Sequence, residues 1–251
     1  MERNGEIVSM KQKALELYSS NHLVRTLIQN FTLSGIPVGA LIDSIASEAY
    51  NKLHIERATT FFEELEKGKI ELTQEIIQSD DFLFSLFATL KASLYTRQKE
   101  KVRFFARLFE KKFIESELSQ ADEYDDYLKI LDELTFREIY MLYRLKQYES
   151  TVYPIGADED DDQDDELQIA GRYWRDFSKE IQETFSIEYS EVIGLLTRAA
   201  RTGCYVSITS MTLGYQGDLG KTTRVFEKLI NMIEVKQEDF PYYKKITSNY
   251  M

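Results

Sequence analysis

The second half of the chain contains the stretch that decides the fold, residues 188–233, EYSEVIGLLTRAARTGCYVSITSMTLGYQGDLGKTTRVFEKLINMI. Apolar residues in its first part, 188–202, recur at helical spacing, and Gly203 follows as a C-terminal cap. Its last part, 222–233, predicts another helix, whose apolar face is formed by Val225, Phe226, Leu229, Ile230 and Ile233. Amphipathic helices therefore lie at both ends of the stretch.

The middle of this stretch predicts a short β-hairpin. Residues 204–209 have strand character, with apolar residues alternating at Cys204, Val206 and Ile208. Gly214 and Gly217 indicate the turn. A further amphipathic helix, 172–185, precedes the stretch, so the order is helix, helix, hairpin, helix. That order is typical of a winged-helix-like unit, which we predict for residues 171–251.

Upstream of this unit lies an acidic run, residues 158–166, which contains eight carboxylates. Like charges at that density repel one another and offer nothing to bury, so we predict a solvated linker over residues 151–170. The run does not fit a calcium-binding loop, because its sixth residue is Gln163 rather than glycine and its twelfth is Ile169 rather than glutamate. The net charge of −12 falls to −4 without these eight acids, so the folded parts are only mildly acidic.

We predict an α-helical bundle over residues 1–150. Glycine and proline are scarce, at 11 and 3 of 251 residues, which favours long helices. We predict one helical region over residues 7–31 and a long helix over about 36–67. Pro37 would lie in the first turn of the long helix, where a missing N–H costs little, and Gly68 would follow its end.

Capping residues mark further helices in this part. Ser79 precedes two aspartates and a periodic apolar run, which predicts a helix N-terminus. The phenylalanine-rich residues 104–113 predict either a continuation of that helix or a separate one. Thr135 and Glu138 have the spacing of a capping box, which predicts a helix after the one around Tyr127–Leu134. The predicted fold class is therefore mainly α, an N-terminal helical bundle followed by a small winged-helix-like α+β unit.

Residues that carry catalysis or bind metals are few in this chain. There is one cysteine, Cys204, so neither a disulfide nor a cysteine metal site can form within the chain. The two histidines, His22 and His54, lie in helical stretches with no second ligand at metal-binding spacing. No local signature of a nucleophile with its base is present. We therefore predict a protein that is not an enzyme and needs no metal or cofactor.

One segment, residues 217–223, resembles a phosphate-binding loop. Such a loop requires a glycine five residues before the glycine of its Gly-Lys pair, because its backbone curls around the phosphates. That position is Tyr215, and Gly214 lies one place too early. We therefore interpret the segment as a turn that leads into a helix, with Thr222 or Thr223 as its N-cap.

Two groups of basic residues are candidate partner-binding sites. The residues of the first group recur every four positions and form one helical stripe, Lys99, Arg103, Arg107 and Lys111. The second group lies in the C-terminal unit and contains Arg198, Arg201 and Arg224. Each group fits a solvated helix face, a contact with an acidic protein surface or a contact with a nucleic-acid backbone. We expect the partner to be a protein rather than DNA, because the C-terminal unit has no clear excess of positive charge.

Residues 31–49 form a segment of low charge, with only Asp43 and Glu48 charged. Its small residues favour a buried central helix, and conditional membrane insertion is the alternative. Asp43 opposes insertion, since a carboxylate at mid-bilayer costs about 2.5–3.5 kcal/mol. The polar residues 1–20 lack the apolar stretch of a signal peptide, so we expect a cytoplasmic protein.

Several segments resemble the abortive-infection alpha family, a group of prokaryotic and phage-associated helical proteins. The segments that carry the resemblance are Gly35–Leu41, Ser79–Phe87, Tyr127–Thr135 with Glu138–Ile139, and Gly220–Lys221 before Phe226. The resemblance lies in the spacing of apolar residues over about residues 35–233 rather than in a diagnostic motif. The resemblance implies a role in the conflict between bacteria and phages, in a prokaryotic cytoplasm, and it supplies no catalytic residues.

These observations favour a non-catalytic protein-binding or regulatory protein. We expect a protein partner. Association of the chain with copies of itself, as a homo-oligomer, is a second interaction that the sequence allows. Two alternative functions are DNA-binding regulation through the C-terminal unit and conditional disruption of a membrane.

Overall fold

A computed structural model describes the following parts of the chain: residues 32–33, 36–37, 48–67, 79–114, 121–152, 166–208 and 219–243. Within these parts the chain has eight α-helices and two short antiparallel strand pairs, which confirms the mainly α part of the expected fold class. The elements form two compact units, residues 1–128 and 129–251. The predicted helical region 7–31, the acidic run before Glu166 and the hairpin tip lie outside the described residues.

The first unit contains long helices and one short strand pair. Helix α1 is Glu48–Lys67, α2 is Asp80–Tyr95 and α3 is Lys99–Ile114. Helix α4, Ala121–Glu133, begins in this unit and contains the division between the two units. Strands β1 and β2 precede α1 in the chain and pair antiparallel, Thr32–Leu33 with Ile36–Pro37.

The predicted start of the long helix near residue 36 is wrong. Ile36 pairs with Leu33 between the strands, and α1 begins at Glu48. The residue before a proline is disfavoured in the α conformation because it clashes with the proline ring, so Ile36 is extended before Pro37. Most of the segment considered for membrane insertion, 31–49, lies outside the described residues. Among the helices that the structure describes, none is long and apolar enough to cross a bilayer.

Helix α2 begins where its capping residue predicts, and aromatic side chains pack it against α3. The Ser79 hydroxyl accepts the N–H of Phe82 at 3.2 Å. Thr96 is extended with a ψ of 139°, so α2 and α3 are separate helices. The Phe82 ring lies edge-on to Phe109, with 5.4 Å between the ring centres. The largest buried side chains of this unit include Phe61, Phe104, Phe105, Leu108, Phe109 and Tyr124.

The described residues of the second unit contain four complete helices and one strand pair. Helix α5 is Phe136–Val152, α6 is Glu166–Phe185, α7 is Tyr189–Ala200 and α8 is Arg224–Met232. Strands β3 and β4, Tyr205–Ser207 and Gly220–Thr222, pair antiparallel. Two turns of 3₁₀-helix follow α8 at Gln237–Asp239 and Pro241–Tyr243. The predicted order of helix, helix, strand, strand, helix is present from α6 to α8.

The division between the units differs from the expected boundary near residue 150. Helix α5 belongs to the second unit, where it packs against α6, α7 and β4. Helix α6 begins at Glu166, inside the segment predicted as a linker. Ile169, Ala170 and Tyr173 are buried, and this apolar face extends α6 towards its N-terminus. Long-range packing, rather than the acidic run, therefore decides where the second unit starts.

The strand prediction is confirmed, but the buried face differs from the expected one. Tyr205 and Ile208 are buried, whereas Val206 is 44% exposed, so the predicted alternation is wrong at Val206. Gly220 gives the physical reason, because a Cβ atom at this position would lie 2.0 Å from the Tyr205 hydroxyl. The glycine leaves the space that the Tyr205 ring occupies on the core side of the strand pair.

Candidate partner-binding surface

The basic stripe predicted on α3 faces α1, where two of its residues form ion pairs. Lys99 donates to Glu56 at 2.5 Å, and Arg107 donates through Nε to Glu64 at 2.7 Å. Each pair joins residues 43 positions apart, so the acids on α1 and the bases on α3 have the same spacing. That equal spacing shows that the two helices run parallel. The Arg107 side chain is only 15% exposed, which removes it from an open surface.

Glu64 is the centre of the α1–α3 contact. Burial alone would raise the pKa of its carboxyl, but hydrogen bonds from Lys67 and Arg107 outweigh burial and lower the pKa. Arg103 and Lys111, the other two members of the stripe, are half-buried. The four predicted residues therefore do not form one open basic face, because only Lys99 among them is exposed.

A buried lysine in the first unit makes a cluster that resembles a nucleophile with its base. Lys112 donates to Asp81 at 2.7 Å and to the Ser85 hydroxyl at 2.8 Å. The ion pair with Asp81 and the Tyr124 ring, whose centre lies 4.7 Å from the Lys112 nitrogen, hold the lysine between α2, α3 and α4. Ser85 is 3% exposed, so the cluster joins α2 to α3 and offers no access to a substrate.

The first predicted arginine of the second unit, Arg198, is bound inside that unit. The capping box of α5 is confirmed, since Glu138 accepts the N–H and the hydroxyl of Thr135, both at 2.8 Å. The other oxygen of Glu138 accepts the Nε–H of Arg198. Glu138 is 1% exposed, whereas the Arg198 side chain is 47% exposed. Arg198 therefore neutralises a buried carboxylate and fixes α7 against the start of α5.

A further carboxylate of the second unit is bound between two neighbouring helices. Arg144 on α5 makes a bidentate pair with Glu180 on α6, at 2.6 and 2.8 Å. Tyr148 donates to the same carboxylate at 2.8 Å, and burial together with this charge raises the pKa of the phenol. These groups hold α5 and α6 together.

The segment that resembles a phosphate-binding loop is occupied by a carboxylate from within the unit. Glu149 on α5 accepts the backbone N–H of Thr222 at 2.6 Å and also the hydroxyl of Thr222. Burial raises the pKa of Glu149 despite these two bonds. Thr223 is the N-cap of α8, because its hydroxyl accepts the N–H of Phe226, so the predicted cap is confirmed.

The other two predicted arginines, Arg201 and Arg224, lie at the end of α7 and the start of α8, two segments that hydrogen bonds join. The Thr223 hydroxyl donates to the carbonyl of Gly203, and the Thr223 N–H donates to the carbonyl of Cys204 at 3.2 Å. Arg201 caps the C-terminus of α7 and Arg224 opens α8, and both are exposed. Within the described residues, neither guanidinium takes part in an ion pair or a hydrogen bond.

The outer face of α7 continues from Arg201 along the helix. Ser190, Gly194 and Thr197 are exposed and recur at the spacing of one helical face. The opposite face of α7 is buried in the unit through Val192, Leu196 and Ala199. A Cβ atom at Gly194 would have no other atom within 4 Å, so the helix surface there is open. We call Ser190, Gly194, Thr197, Arg201 and Arg224 the α7–α8 surface.

Sequence reasoning found the two arginines of the α7–α8 surface and missed the three small residues beside them. The polar stripe opposite the apolar face of α7 was the available signal. No group of three or more potential metal ligands is present in the part of the chain that the structure describes. Cys204 is buried, and burial raises the pKa of its thiol to about 11, so it does not supply a thiolate at neutral pH.

Comparison of the chain with protein-family models, with curated proteins and with solved structures finds no match. The resemblance to the abortive-infection alpha family therefore stays a prediction.

Proposed function

We propose that the protein is a non-catalytic binding and regulatory protein, and that its second unit is a winged-helix-like module that contacts a partner through the α7–α8 surface. One observation carries the proposal. The outer face of α7 and Arg224, the first residue of α8, are exposed, and Thr223 bonds to the chain that follows α7. By contrast, Arg198, Arg144 and Thr222 are all bound to buried or half-buried carboxylates.

The connection between α6 and α7 supports the winged-helix-like arrangement. Three residues separate the helices, which is the length of a helix-turn-helix connection. Ser186 adopts a left-handed φ of 53°, and the N–H of Ile187 bonds to the carbonyl of Gln182 at 3.1 Å. This pattern ends α6 sharply and redirects the chain into α7. In this proposal α7 is the helix presented to the partner, and β3 and β4 form the base of the wing.

A photo-crosslinking residue at position 194 tests whether the α7–α8 surface contacts a partner. The full-length protein carrying it would be irradiated in its native host, and adducts would be resolved by mass and by sensitivity to protease and nuclease. We expect adducts from position 194 and not from position 175, an exposed site on α6. Equal labelling from both positions, or no adduct from 194, would refute the proposal.

A role in the conflict between bacteria and phages belongs to the same proposal. It is supported by the family resemblance of the sequence. Survival of phage-challenged cells would be compared between cells with the wild type, cells with the doubly substituted Arg201→Gln/Arg224→Gln chain, and cells without the protein. We expect the wild type alone to change survival or phage yield. Identical outcomes in all three cultures would remove this role without affecting the binding proposal.

A further inference from the structure

We infer that the partner of the α7–α8 surface is duplex DNA, with α7 placed in the major groove. This inference rests on the proposed function, since it names the partner of the same surface. The overall charge of the unit favoured a protein over DNA as the partner. The charge and size of the individual side chains around α7 favour DNA instead.

The positive charge of the α7–α8 surface is not cancelled by nearby acids among the described residues. The bonds from Thr223 to Gly203 and Cys204 join the chain segments that carry Arg201 and Arg224. The acid in the first turn of α7, Glu191, is exposed, but it lies ten residues from Arg201, about 15 Å along the helix axis. The acid in the first turn of α8, Glu227, pairs with Lys146 at 3.3 Å. Two guanidinium groups are thus available for a polyanion, and phosphate contacts supply most of the affinity for DNA.

The size of the side chains on α7 favours a groove over a protein surface. Protein interfaces are centred on large aromatic and apolar residues, and the outer face of α7 contains none. Ser190, Gly194 and Thr197 are small, so the helix backbone can approach base edges closely. Glycine inside a helix is destabilising, and the open space around Gly194 shows that packing within the unit does not require it.

The dimensions of α7 fit the same conclusion. Ser190 and Arg201 are eleven residues apart, which places them about 16 Å apart along the helix axis. The major groove of DNA is about 12 Å wide and admits one α-helix, whereas the major groove of double-stranded RNA is too narrow. Arg201 and Arg224, at one end of the surface, are placed to contact phosphates. The Ser190 hydroxyl and the Thr197 methyl group face the base edges.

Binding of labelled duplex DNA to the full-length protein tests this inference. Fluorescence anisotropy would be measured with a pool of random duplexes over a range of salt concentrations. We expect Arg201→Gln and Arg224→Gln each to weaken binding and to reduce the slope of log K against log salt by about 0.9, the value for one phosphate contact. Arg175→Gln removes an exposed arginine from α6 and should leave both quantities unchanged.

A pair of glycine substitutions separates groove insertion from simple charge attraction. Gly194→Leu places a bulky side chain on the outer face of α7, and Gly171→Leu places the same side chain on α6, where the space is also open. We expect Gly194→Leu to abolish duplex binding and Gly171→Leu to preserve it. Unchanged fluorescence of Trp174 would show that both variants are folded.

Three results would overturn the assignment of DNA. The first is the absence of duplex binding at physiological ionic strength. The second is binding that survives Gly194→Leu or the double arginine substitution. The third is equal binding to duplex RNA. If position 194 then crosslinks to a polypeptide, the surface binds a protein and the proposed function stands. If it crosslinks to nothing, the proposed function fails as well.

Discussion

Replacing Arg198 by methionine should destabilise the second unit, because it removes the cation from a buried carboxylate. Glu138 is 1% exposed and would keep only the two bonds from Thr135. Breaking a fully buried ion pair costs about 3–5 kcal/mol. The Arg198 side chain is 47% exposed, so solvent weakens this pair, and we expect a loss of about 1–2 kcal/mol.

A double-mutant cycle with Glu138→Gln isolates the interaction. Glutamine can still accept the Thr135 N–H in the capping box, so Glu138→Gln alone should cost less than about 1 kcal/mol. In a chain that already carries Glu138→Gln, Arg198→Met should cost little, which gives a coupling energy of about 1–2 kcal/mol. Arg201→Met is the matched control, because Arg201 is unpaired in the described residues, and it should stay within about 0.5 kcal/mol of the wild type.

Urea unfolding followed by Trp174 fluorescence measures these changes. Trp174 is the only tryptophan of the chain and is buried in the second unit, so its emission reports that unit. With a urea slope of about 2 kcal/mol/M, the middle of the usual range, the midpoint for Arg198→Met should fall by about 0.5–1 M. An unchanged midpoint, or a coupling energy near zero, would show that the pair does not stabilise the unit. Arg198 would then be available to a partner, contrary to its placement here.

The remaining predictions concern three positions of the second unit, each measured by the same unfolding assay. Gly220→Ala should destabilise the unit by about 1–3 kcal/mol, because the new Cβ overlaps the Tyr205 ring, and an equal cost in a Tyr205→Ala background would contradict this reason. Ser186→Gly should stabilise the unit by about 1 kcal/mol, since it relieves a left-handed backbone at φ 53°, and a lower midpoint would disprove it. Burial raises the pKa of Glu149 above its value in the unfolded chain, so the folded state binds the proton more tightly. Stability from this group should therefore rise as the pH falls from neutrality through the folded pKa, and Glu149→Gln should abolish that rise. A pH profile that is identical in the wild type and in Glu149→Gln would refute the assignment.

Signals between residues that are close in sequence predicted much of the helical structure correctly. Three helix caps were predicted from residues three positions apart, so both hydrogen-bonding partners could be read from the sequence. They are the Ser79 cap, the Thr135–Glu138 capping box and the Thr223 cap. The apolar period of α7 likewise predicts which face is buried. These features depend on backbone geometry that every helix shares, and the fold around them changes them little.

Pairing between distant residues was not visible in the sequence. Arg198 looked like a surface base, yet its partner Glu138 lies 60 positions away. The phosphate-loop-like segment contains donors whose carboxylate, Glu149, lies 73 positions away. The spacing of the basic residues on α3 was visible in the sequence. The acids that bind Lys99 and Arg107 were not, because they lie on another helix.

The sequence by itself therefore determined the mainly helical class, several helix ends and the order of elements from α6 to α8. Only the tertiary structure decided that α5 belongs to the second unit, that Tyr205 rather than Val206 is buried, and that Arg201 and Arg224 remain exposed. Composition and periodicity specify which face of an element is apolar. They do not specify which element covers that face, because that choice depends on how all the faces fill space together.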